Sequence, residues 1–186
     1  MRCVIAFAAI LAALALPARA DIDIAPRRPA VITAVLSNDL DKVRVSIIQK
    51  RENPNLADEQ GRTALMHASI VGNTDIVKLL LDNGAKIGTT DLTGSTALHW
   101  AAERGNVDIV RQLIAARAPI DVDNKRGATP LMAAAGSGSS ETVELLLAAG
   151  ADPKRQDYTG RSAVDYAQDK RQNAIAQRLK QAQVRR

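Results

Sequence analysis

The chain has 186 residues, 46% apolar but only 2% aromatic, with one cysteine and a formal net charge of +5. So mild a positive charge, with no concentrated basic stripe and no set of stacking aromatics, argues against a nucleic-acid partner. A core this poor in rings must be thin, made of short helices that approach closely on Ala, Leu, Ile and Val.

Residues 1–20 read as a secretory signal peptide. Arg2 gives a positive start, residues 3–16 an apolar run of 14, and Ala18-Arg19-Ala20 a small-x-small cleavage site. The run falls short of the roughly 20 residues a spanning helix needs, so no membrane segment is expected after cleavage. Cys3 opens the apolar run, where a lipid-modified cysteine would not stand. The mature chain, residues 21–186, is then 166 residues long and free of cysteine, so packing without disulfides must hold it. Losing Arg2 and Arg19 lowers the basic count from 25 to 23 against 20 acids, a net charge near +3. Residues 21–28 are expected to form an extended linker.

A first unit spans 29–57, with helices expected near 29–37 and 40–50. Asn38 stands between them where later units carry glycine. Registers counted from Asn38 and from Asn55 disagree by one residue, which predicts a small insertion in this unit.

Beyond it a period of 33 residues takes over, marked by Gly61, Gly94, Gly127 and Gly160. Three residues before each glycine comes Asp58, Asp91, Asn124 or Asp157; two after it, Thr63, Thr96, Thr129 or Ser162. Leu65, Leu98, Leu131 and Val164 follow, then Ala68, Ala101, Ala134 and Ala167. Such agreement describes stacked copies of one small unit: repeats at 58–90, 91–123 and 124–156, and a last unit at 157–183. Residues 184–186 are left as a basic tail.

Within a unit the glycine permits a turn of positive φ, and the hydroxyl residue caps a short first helix. Pro130 follows Thr129 at the first helical position. Gly72, Gly105 and Gly138 end these helices. The second helices carry one apolar stripe, for example Ile76, Val77, Leu80 and Leu81. Gly84 and Gly150 close two of them. Arg117 holds that place in the middle copy, where it must turn left-handed or end its helix in another way.

These residues resemble the ankyrin repeat. The family's Thr-Pro-Leu-His-x-Ala signature is nearly complete at Thr96-Ala97-Leu98-His99-Trp100-Ala101, and the resemblance extends over residues 30–183. It implies an all-α solenoid of stacked helix-turn-helix units with projecting hairpin turns. Partners would dock on the hairpin tips and on the concave face of the first helices. The end units read as caps, the last with a polar second helix near 172–183.

Little else points to chemistry. His67 and His99 stand at different repeat positions without further ligands at short spacing, so no metal is expected. His99 resembles the family histidine that bonds to neighbouring turn backbone, and His67 reads as a surface residue. Gly136-Ser137-Gly138-Ser139-Ser140 suggests a phosphate loop, but no Lys-Ser/Thr follows and Gly138 is a helix end. No acid pair or nucleophile constellation emerges, so neither catalytic residues nor a cofactor are expected.

Two rows remain as candidate binding surfaces. One follows the signature histidine position: His67, Trp100, Ala133 and Tyr166. Its rings form a ridge, unless Trp100 packs against the adjoining repeat. The other is the tips, where Arg62, Lys125, Arg126 and Arg161 are basic and Leu92 and Tyr158 apolar. Gly61, Gly94, Gly127, Gly160, Thr63, Thr96, Thr129 and His99 are assigned to structure. The expected function is a monomeric, exported, periplasmic scaffold that binds another protein. A secreted effector or an inhibitor that caps an enzyme are the alternatives.

Overall fold

The computed structural model describes residues 28–185, which form ten α-helices and no β-strand. The helices alternate between two rows. The inner row comprises α1 (Ala30–Leu36), α3 (Ala64–Val71), α5 (Ala97–Arg104), α7 (Pro130–Ser137) and α9 (Ala163–Asp169). The outer row comprises α2 (Leu40–Arg44), α4 (Thr74–Asp82), α6 (Val107–Ala115), α8 (Ser140–Ala148) and α10 (Asn173–Arg185). Each helix packs on its partner in the unit and on its counterpart in the next, and the inner row packs the more closely. That inequality bends the stack toward the inner row.

Composition explains it. Ala64, Ala68, Ala97, Ala101, Ala134, Ala163 and Ala167 are buried on inner helices, where a methyl side chain lets backbones come close. An inner helix is covered on both sides by its neighbours, so α3 buries residues 64–69 without a break. Outer helices have one covered side and bury one stripe: Ile76, Val77 and Leu80; Ile109, Val110 and Leu113; Val143, Leu146 and Leu147. Among the described residues no Trp or Tyr ring is fully buried; Trp100 and Tyr166 are half-buried against the aliphatic core.

The termini of the inner helices follow from the repeated hydroxyls and glycines. Thr63, Thr96 and Thr129 accept the N–H of Met66, His99 and Met132 at 3.5, 3.4 and 3.4 Å. Gly72, Gly105 and Gly138 end α3, α5 and α7 with φ of 89°, 65° and 84°. Asn38 and Arg171 take the same left-handed place in the end units, at φ 53° and 59°. After the outer helices the left-handed place falls to Arg51, Gly84, Arg117 and Gly150. Arg117 turns left-handed, at φ 64°.

The expected insertion in the first unit has a definite form. Asn38 to Arg51 is one residue longer than Gly72 to Gly84, although all four ends are left-handed. The extra residue is absorbed in a π-turn at Val45–Gln49, which continues α2 and is closed by Lys50 N–H on Val45 O at 3.0 Å. At the other end α10 runs through Arg185, so residues 184 and 185 belong to the last helix and not to a separate tail. The expected signal peptide and all but the last residue of the linker lie outside the described residues.

Candidate functional site

The tips are built on one side-chain oxygen. In every turn the head residue, Asp58, Asp91, Asn124 or Asp157, accepts two backbone N–H groups on Oδ1 at 2.8–3.0 Å. The turn glycine donates to the carbonyl of that residue at 2.8–2.9 Å. Gly94 is required twice over: its φ is 78°, and a Cβ there would lie 2.8 Å from Lys125 N. Neighbouring tips are tied together, Leu92 N–H to Gln60 O at 2.9 Å, Lys125 N–H to Thr93 O at 2.8 Å and Tyr158 N–H to Arg126 O at 3.0 Å. The tips are thereby a continuous edge.

The second carboxylate oxygen of each aspartate reaches the inner helices. Asp58 Oδ2 accepts from His67 Nε2 at 2.7 Å, Asp91 Oδ2 from Trp100 Nε1 at 3.0 Å, and Asp157 Oδ2 from the Tyr166 hydroxyl at 2.8 Å. His67 is therefore not a surface residue: it is 7% exposed and its ring holds the turn above it. Trp100 and Tyr166 belong to the same device, each lying nine residues after its aspartate. The carboxylates stay ionised. Burial alone would raise the pKa of Asp91, but the Thr93 hydroxyl, the Ser95 and Thr93 N–H groups and the Trp100 indole together hold it below 3.8. Asp157 is likewise depressed against its burial by the Thr159 hydroxyl, the Arg161 N–H and the Tyr166 hydroxyl. Burial, then Asp157, pushes the Tyr166 phenol up.

The third repeat departs from this rule at both ends. Asn124 replaces the aspartate and Ala133 the ring. The two changes match, because Ala133 supplies no donor for a second carboxylate oxygen and Asn124 has none to satisfy.

Two of the four tip cations are also occupied. The Arg62 guanidinium lies 4.3 Å over the Trp100 ring of the next repeat and 3.6 Å from Asp91 Oδ2. Arg161 lies 4.5 Å over Tyr166 and pairs with Asp169. Lys125 and Arg126 remain exposed, between Leu92 at 61% exposure and Tyr158 at 74%.

His99 is buried beneath the edge. Its Nδ1 accepts the Thr96 N–H at 3.1 Å, so Nε2 carries the proton and donates to Ala128 O of the next repeat at 3.1 Å. Burial holds its pKa below 6.5. Among the described residues no three His, Cys, Asp or Glu side chains are grouped to hold a metal.

The sequence spacing separates the ring row from the tip row, and the structure joins them through the aspartates. The signal was available: Asp58 and His67, Asp91 and Trp100, Asp157 and Tyr166 share one spacing, and the only change in one partner accompanies a change in the other. The stacking of Arg62 across a repeat boundary had no such signal.

Three copies of the ankyrin-repeat model match residues 31–124, 88–157 and 113–185. The chain belongs to the ankyrin-repeat family. No curated protein matches it. Ankyrin repeats are generally protein–protein interaction modules and typically non-catalytic. In this ankyrin-repeat array no helix among the described residues is long and apolar enough to cross a membrane.

Proposed function

We propose that this ankyrin-repeat protein is a non-catalytic scaffold, exported to the periplasm as a monomer, that binds another protein through its tips and concave face. One observation carries the reading. The edge from Leu92 to Tyr158 presents two exposed apolar side chains around Lys125 and Arg126, on turns tied together by backbone bonds. A preformed edge loses little conformational freedom on binding, and its free cations steer a partner with an acidic patch. The export reading rests on the sequence of residues 1–20 alone.

The test is affinity capture from a periplasmic extract with the mature chain and with an Arg126→Ala, Tyr158→Ala variant. Both side chains are exposed, so the variant keeps the fold. Loss of the captured protein with the variant supports the reading; equal capture sinks the tip surface. Recovery of the protein in the osmotic-shock fraction supports the periplasm, and recovery in the culture medium overturns it.

A further inference from the structure

The place that Trp100 and Tyr166 fill in the second repeat and the last unit holds only a methyl group in the third. A cavity of about 820 Å³ opens there, lined by Trp100 and Tyr166 from either side and by Ala133 and Gly136 between them. Gly136 adds no side chain to the lining, and a Cβ there would meet Tyr166 Cδ1 at 3.7 Å, in ordinary van der Waals contact. A volume of this size takes a short peptide segment with one bulky side chain.

The charged groups around it are mainly positive. Asn124 lines the cavity, and its Oδ1 accepts the N–H groups of Arg126 and Ala128 at 2.9 and 3.0 Å, which fixes the amide and leaves Nδ2 as its remaining donor. No side chain among the described residues bonds to that nitrogen. Lys125, Arg126 and Lys170 are exposed on the lining, opposed by Glu103 alone. The Asp91 and Asp157 carboxylates do not line the cavity; they hold the polar atoms of Trp100 and Tyr166, so those two rings offer it apolar surface.

We propose that the cavity takes an acidic peptide segment of the partner, whose aromatic side chain inserts between Trp100 and Tyr166 above Ala133 while its carboxylates meet Lys125, Arg126 and Asn124 Nδ2. The partner supplies the ring that the third repeat lacks. This rests on the protein-binding reading above and specifies the chemistry of the bound segment.

Trp100 is the only tryptophan of the chain and reports directly on the site. The probe is an acetylated, amidated pentapeptide with Phe at its centre and two Asp on each side, titrated into the mature protein. The expected result is a saturable change in Trp100 emission. Replacing Phe by Ala, or the acids by Lys, weakens binding by about tenfold or more. Asn124→Asp with Ala133→Tyr copies the pair of the last unit, fills the cavity and abolishes peptide binding with helical circular dichroism unchanged. Arg126→Glu with Lys170→Glu, both on the surface, weakens it by about tenfold without touching the packing.

No saturable response, equal binding of the Phe and Ala peptides, or undiminished binding to the filled variant overturns the cavity as a site. The filled variant also separates the two levels of the proposal. If it captures the same protein as the parent while the Arg126, Tyr158 variant does not, the cavity is lost and the tip surface stands.

Discussion

The second and third repeats have the same backbone and opposite surfaces. In the second, Asp91 uses both oxygens: Oδ1 shapes the turn and Oδ2 holds Trp100, which Arg62 then covers. In the third, Asn124 shapes an equivalent turn on Oδ1 alone, and Ala133 leaves a cavity where a ring would lie. The turn therefore needs one acceptor, and the second oxygen serves the inner helix. A repeat that gives up its ring keeps its fold and gains a concave opening. Where the device is complete the surface is filled from within the chain; where it is missing the surface is available to a partner.

The largest test of this contrast is truncation of the two head residues. Asp91→Ala removes the acceptor of two backbone N–H groups, the Thr93 hydroxyl and the indole, and is expected to cost about 3 kcal/mol. Asn124→Ala removes the acceptor of two backbone N–H groups and is expected to cost about 1.5 kcal/mol. Urea unfolding of both variants decides it. Equal losses would mean that the second oxygen contributes nothing.

Exchange of the pair gives a smaller, sharper effect. A double-mutant cycle on Asn124→Asp and Ala133→Tyr should show a favourable coupling of about 1 kcal/mol, because the new carboxylate oxygen and the new hydroxyl each supply the other's partner. Coupling near zero would mean that the matched change in the third repeat has no energetic basis.

Acid should act on the repeats unequally. The folded chain holds the carboxyls of Asp58, Asp91 and Asp157 below their ordinary 3.8, so the unfolded chain takes up protons first. Their contribution is complete above that value and is lost as pH falls from 3.8 through the folded pKa values. His99, held neutral by burial, adds a loss that begins as pH falls below 6.5. Asn124 contributes nothing to this slope. Asp91→Asn should flatten the acid limb of stability against pH, measured by thermal or urea unfolding, and an unchanged limb would show that Asp91 is not held ionised.

The smallest effect concerns the backbone. Arg117→Gly, at the left-handed place (φ 64°) that Gly84 and Gly150 fill with no Cβ at φ 82° and 101°, should stabilise the array by about 1 kcal/mol. An unchanged unfolding midpoint would show that Arg117 meets no strain there.

Much of the fold was legible because an ankyrin unit is local. A cap, a helix and a left-handed stop each depend on residues within one turn of one another, so Thr96, Ala101 and Gly105 state their roles in order. Even the π-turn announced itself as a one-residue disagreement between Asn38 and Asn55. The candidate site was less legible. His67 looked like a surface residue because its partner, Asp58, lies on a different element, and burial depends on what closes over the ring. The basic row also looked more open than it is, since Arg62 and Arg161 fold back onto rings.

By itself the sequence determined the 33-residue unit, the inner and outer helices, the turn glycines and the aliphatic core. These rest on hydrogen bonds and apolar spacing within a few residues. Only the tertiary structure decided which oxygen of Asp91 meets which ring, which cations remain free, and that Ala133 opens a cavity between Trp100 and Tyr166. A gap belongs to no single residue: it exists because two neighbours 33 residues away on either side stand around it, and stacking alone brings them together.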